Sequence, residues 1–218
     1  MNRIATPPAP IRRAVPVQEA TSPGGIGFWL VENYSVPVVA LEFSFEGGAT
    51  QDPAGLDGAT TMMAGLLDEG AGPYDSQDFQ RELDSKAIEM SFSADRDHVG
   101  GRLRTLAREV DRAFELLGLA LHAARFDSEP VERVRQQAMA GLRHEANDPD
   151  AVAGRAWRAL AYPGHAYGRE RQGTLESLPK VGRADVMALR DALFSRDGLK
   201  LSVVGAIDAL RAGRLVDA

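Results

Sequence analysis

Residues 36–70 read VPVVALEFSFEGGATQDPAGLDGATTMMAGLLDEG, and this stretch decides the fold class. Pro37 interrupts the apolar residues Val36 and Val38, so a strand begins just after it, because proline has no N–H to give a ladder. Val39, Leu41, Phe43 and Phe45 then fall on one face, and Ala40, Glu42, Ser44 and Glu46 on the other. A period of two is the signature of a half-buried strand. Gly47-Gly48 ends it. Leu56–Leu67 is rich in Ala, Met, Leu and Thr and is closed by Asp68-Glu69-Gly70, which predicts a buried helix.

On the N-terminal side, Ile26–Glu32 is a short apolar run and Asn33-Tyr34-Ser35 supplies a turn. Two strands joined by a short turn predict an antiparallel hairpin. On the C-terminal side, Ser76 is placed to cap a helix carrying Phe79 and Leu83. Ile88, Met90 and Phe92 alternate again, and Val99–Leu103 reads as a further strand. Leu106, Val110, Phe114, Leu117 and Leu121 make an amphipathic stripe. Ser128 with Pro130 opens a helix to about residue 146, and Asp148-Pro149 opens another, with Asp as N-cap and Pro in the first turn. Gly164-His165-Ala166-Tyr167-Gly168 is a loop, 183–194 is helical, and Leu199–Val204 is a last buried strand. The order ββααββααααβ keeps strands in adjacent pairs. That predicts an α+β fold with a mostly antiparallel sheet.

A single domain over residues 25–208 accounts for these elements. Residues 1–24 carry Arg3, Arg12 and Arg13 and the prolines Pro7, Pro8 and Pro10, without the apolar core of a signal peptide, and read as a mobile N-terminal arm. Residues 209–218 read as the start of a truncated linker or helix. The compartment stays open at this level: periplasmic if a signal peptide was removed, cytoplasmic otherwise.

Composition excludes several classes of function. A net charge of -6 argues against a general nucleic-acid binder, which needs a basic face. No run of apolar residues is long enough to span a membrane. With 0 cysteines there are no disulfides, thiolate zinc sites or cysteine nucleophiles. The scarcity of lysine among the basic residues, together with abundant alanine, points to GC-rich bacterial coding. Familiar catalytic motifs are missing as well: there is no GxGxxG after a strand, no phosphate loop, no GxSxG and no HExxH. His98, His122, His144 and His165 are far apart in sequence and read as surface or loop residues. Glu129, Glu132, Asp148 and Asp150 read as helix-start acids favoured by the dipole.

Asp52-Pro53-Ala54-Gly55-Leu56-Asp57-Gly58, followed by the apolar helix, is similar to the lead-in of the pitrilysin/insulinase-type zinc peptidases, the family of the mitochondrial processing peptidases. Glu69-Gly70-Ala71 resembles the end of that family's motif helix, and Asp111–Leu121 its long helix after the hairpin. Residues 164–168 resemble its HPYG-like loop, Gly173-Thr174 through Leu178 its GT-x-x-x-L segment, and Leu201–Gly205 its closing strand. The resemblance runs from about residue 20 to residue 210. It implies one half of a processing-peptidase-like subunit, with helices packed on one face of the sheet.

In active members the helix after the lead-in carries HxxEH, two histidines for zinc and a glutamate as general base, and a later helix supplies a third ligand. Carried over onto this chain, the ligand positions hold Thr61, Gly65 and Gly141 and the base position holds Ala64. Neither Thr61 nor the two glycines can complete a three-ligand zinc site, and Ala64 cannot activate water. The resemblance therefore implies no catalytic, cofactor or metal residue here, with zinc expected only in a catalytic partner. Thr61–Gly65 by itself reads as a packed core helix, and the glycine at 141 as one that permits close helix packing.

The implied function is a non-catalytic domain of a pitrilysin-type peptidase subunit, not an enzyme alone, that helps an active partner enclose peptide substrates. The alternative is a purely structural or scaffolding relative with no role in proteolysis. The expected partners are an HxxEH-bearing homologous subunit, further copies of this chain, or both. Nucleic acid and membrane spans are not expected.

Overall fold

A computed structural model describes residues 15–217. Six strands form one mixed sheet in the order β1-β2-β6-β3-β5-β4. The strands are β1 (Gln18–Thr21), β2 (Gly27–Glu32), β3 (Val38–Glu46), β4 (Glu89–Ala94), β5 (His98–Leu106) and β6 (Leu199–Gly205). The helices are α1 (Ala59–Ala64), α2 (Ser76–Ser85), α3 (Val110–His122), α4 (Ser128–Glu145), α5 (Pro149–Ala161), α6 (Arg183–Leu193) and α7 (Ala209–Val216). No helix among the described residues is long and apolar enough to cross a membrane.

The alternation read in β3 is the alternation observed. Val39, Leu41, Phe43 and Phe45 are buried, and Glu42 and Glu46 are exposed. The apolar face packs on α3 through Val110, Phe114 and Leu117. A second core forms at one end of the sheet, where Met62, Met63 and Leu66 meet Val186, Leu189 and Leu193 of α6. Among the described residues, the other face of the sheet lacks a helical cover, and it carries charge pairs. Glu42 and Glu89 stand directly opposite Arg102 and Arg104, and each accepts a bond from its partner arginine.

Three sequence expectations are corrected. The hairpin of residues 26–32 with 38–46 does not form, because β6 inserts between the two strands, parallel to β2 and antiparallel to β3. The loop 33–37 must then cross two inter-strand gaps, roughly 10 Å, within reach of five extended residues. The Asn33 N–H closes this crossing on the Gly205 carbonyl at 2.8 Å. The second correction is at the N-terminus: Gln18–Thr21, inside the stretch read as an arm, pairs with β2 as an edge strand. Residues 1–14 of that arm lie outside the described residues. The third is α1, which is shorter than Leu56–Leu67. It starts after Gly58, whose φ of 92° is left-handed, and stops at Gly65, while Leu66 and Leu67 stay buried in the turns that follow.

Capping differs in detail. Asp75 caps α2 by accepting from the Asp78 N–H at 2.8 Å, and Ser76 turns instead to Glu69. Asp148 caps α5 as expected, accepting from the Asp150 N–H at 2.9 Å. Ala209–Val216 form a helix, with Asp208 as its side-chain cap.

Candidate functional site

The lead-in to α1 is folded around a buried carboxylate. Asp52 accepts from the Gly58 N–H at 2.7 Å, the Thr60 N–H at 2.8 Å and the Thr60 hydroxyl at 2.6 Å. One side chain thus occupies donors that the first turn of a helix leaves unpaired. Burial pushes the Asp52 carboxyl above the usual carboxylate range, although the bonds from Thr60 and Gly58 and the charge of Arg169 oppose that shift.

The loop at 164–178 wraps this lead-in. Arg169 donates to the carbonyls of Asp52 at 2.8 Å and Thr50 at 3.0 Å. The Ser177 hydroxyl donates to the Asp57 carbonyl at 2.7 Å. Gly58 and Gly173 meet backbone to backbone: a Cβ on Gly58 would lie 2.7 Å from the Gly173 Cα, and one on Gly173 would lie 2.5 Å from the Asp57 carbonyl oxygen. The Tyr167 hydroxyl donates to Asp97 at 2.7 Å, tying the same loop to the β4–β5 turn. Two of the distant pieces that carry the family resemblance, residues 52–58 and 164–178, are thus packed together at the start of α1.

Thr61 and Gly65 are four residues apart and share one face of α1, where two histidines would converge on a metal. In this chain the Thr61 hydroxyl donates to the Arg171 carbonyl at 2.8 Å. Ala64 is buried, and Gly65 is the exposed C-cap residue of the helix. A Cβ on Gly65 would touch Val134 of α4 at 3.7 Å. Gly141 is on that same helix, two turns or about 10 Å beyond Val134. A Cβ there would meet nothing within 4 Å, so the glycine is not needed for helix packing, contrary to the sequence expectation. The structure thus brings α4 against Gly65 but leaves Gly141 at an open position. Among the described residues, no three His, Cys, Asp or Glu side chains are grouped to hold a metal ion.

Charged groups that sequence reading did not single out hold the surroundings. Arg133 of α4 donates to Glu69 at 3.0 Å, and the Ser76 hydroxyl also bonds this carboxylate. Burial works against ionisation of Glu69, but these bonds hold its carboxyl below the usual range. Arg135 donates to the carbonyls of Leu178 at 3.2 Å and Val181 at 2.7 Å, fixing α4 to the same loop. Their one sequence signal is arginine at i, i+2 on a helix, which is too common to mark a site.

No family model matches the chain. Among curated proteins it is similar to a non-peptidase homologue, YmxG, of Helicobacter pylori, with 24% identity over 155 residues that make up 71% of this chain and 36% of that one. It is also similar to an uncharacterised zinc protease of Mycobacterium leprae, 20% identical over 196 residues, 90% of this chain and 44% of that one. Among solved structures, a peptidase M16 inactive domain from Pseudomonas fluorescens has the same fold, with a TM-score of 0.86 at 20% identity, covering 92% of this chain and 49% of that one. The chain spans less than half the length of each. The chain is thus similar to pitrilysin-type, M16 peptidases and their non-peptidase homologues, and its fold matches about one half of such a protein.

Proposed function

We propose that this chain is a zinc-free, non-catalytic half of a pitrilysin-type subunit that helps an HxxEH-bearing partner enclose peptide substrates. One observation carries the reading. On α1 the two ligand positions hold Thr61, whose hydroxyl is spent on the Arg171 carbonyl, and Gly65, while the base position holds Ala64, buried in the core. Gly141, on α4, adds no ligand. General acid–base chemistry on a bound water has no group here to perform it. The names of two similar proteins, an inactive domain and a non-peptidase homologue, support the same direction. The uncovered sheet face supports the enclosing role: it is solvated and carries paired charges, so it suits a wet chamber wall better than a packed core.

The test is reconstitution. The purified chain is mixed with an HxxEH-bearing homologue, and hydrolysis of a quenched-fluorescence peptide library is followed. The chain alone gives no turnover, and adding it raises the partner's rate or changes which peptides are cleaved. Turnover by the chain alone contradicts the reading. A stable complex with unchanged activity supports a scaffolding role instead.

A further inference from the structure

The register of the sheet creates a trough on its uncovered face. β3 pairs Ser44 with Gly100, and β4 pairs Ser93 with the same glycine. Two hydroxyl-bearing residues therefore flank one that has no side chain, with roughly 10 Å between the outer strands. Gly100 is held as glycine by its neighbours, since a Cβ there would lie 2.3 Å from the Phe43 carbonyl oxygen. The adjacent rung is Glu42, Arg102 and Ser91. These rungs and Arg171 line a cavity of about 470 Å³.

The acids in this cavity are already matched. Glu42 accepts from Arg102 at 3.1 Å. Asp95 accepts the N–H groups of Asp97 and His98, each at 2.7 Å, with the His98 ring 3.6 Å away. Arg171 differs. Its one side-chain bond among the described residues runs from Nη1 to the Ala94 carbonyl at 2.8 Å, at the end of β4, and it has no carboxylate partner there. The hydroxyl-bearing residues Ser44, Ser91 and Ser93 line the same cavity. The trough thus holds an uncommitted cation and three hydroxyls beside acids that are already engaged.

We propose that this trough binds a carboxylate, with Arg171 supplying the charge and a fork of donors and Ser93 and Ser44 supplying hydroxyl donors. A guanidinium matches the two oxygens of a carboxylate in a bidentate pair. A dianionic phosphate fits less well, because Glu42 and Asp95 line the same cavity and repel the second charge. The carboxylate comes from a peptide, either as its C-terminus or as an acidic side chain. This inference concerns the chain alone and does not depend on the partner role proposed above.

Fluorescence anisotropy tests it with three N-terminally labelled alanine pentapeptides: the free acid, the C-terminal amide, and the amide with a central Glu. At least one carboxylate peptide binds tenfold or more tightly than the neutral amide, and the stronger of the two identifies the source. Arg171→Gln lowers that binding to the level of the amide, and Ser93→Ala weakens it several-fold. Ser93→Ala reads the same site if Arg171→Gln does not fold by circular dichroism. Sodium acetate competes better than inorganic phosphate. Equal binding of the three peptides, binding of none, a preference that survives both substitutions, or stronger competition by phosphate overturns the proposal.

Discussion

Asp68 follows α1 with its carboxyl partly buried, and that burial, aided by the neighbouring Glu69 charge, pushes its pKa up to about 6. A group that holds its proton more tightly when folded adds stability at low pH and loses it as pH rises. The contribution is complete below about pH 4, the unfolded carboxyl value, fades up to about pH 6, and is absent above that. Asp68→Asn keeps the shape without the charge. Relative to wild type it gains about 2 kcal/mol between pH 4 and pH 7.5, measured by urea unfolding at both values. An offset that is the same at both pH values contradicts this account. Gly58 gives a steric counterpart. Its φ of 92° and the 2.7 Å approach of Gly173 leave no room for a methyl group. Gly58→Ala therefore costs about 2 kcal/mol or more in thermal unfolding, whereas a loss below about 0.5 kcal/mol means the two backbones are not in contact.

At the level of elements, most strands and helices were legible because their periods are local. The alternation of Val39 through Glu46 and the stripe from Val110 to Leu121 each lie within one element. Strand neighbours were not legible in the same way. Placing β6 between β2 and β3 depends on pairing Leu199–Gly205 with residues near the other end of the chain, and no local pattern records that choice. The end of α1 at Gly65 was missed because the burial of Leu66 and Leu67 keeps the apolar pattern going beyond it. The degenerate positions were reached by resemblance, and their surroundings only by structure. Position 141 shows the difference. Its glycine sits in a helix with open space around it, so Gly141→Ala stabilises the chain by about 0.5–1 kcal/mol through helix propensity. A destabilised variant in differential scanning calorimetry would mean that a neighbour packs on this face.

For the whole molecule, α5 is the one α-helix among the described residues that has no side chain in a core. It has no buried residue, and it presents Trp157 at 62% and Leu160 at 83% exposure. Apolar side chains at such exposure on one helix mark an interaction surface. Dimers or larger forms are expected in light scattering, and Trp157→Glu with Leu160→Glu shifts them toward monomer; a wild-type chain that stays strictly monomeric contradicts the expectation. The trough lined by Arg171 was hidden from sequence for a related reason, since Ser44, Gly100 and Ser93 come from three different strands and share a row only through register. The proposed function requires that this chain has no zinc site, with Thr61, Gly65 and Gly141 at the positions where the resemblance places the ligands. Elemental analysis of the purified chain, loaded with excess zinc and then dialysed, tests that claim most directly. Far less than one zinc per chain is expected, and a value close to one zinc per chain contradicts the proposed function.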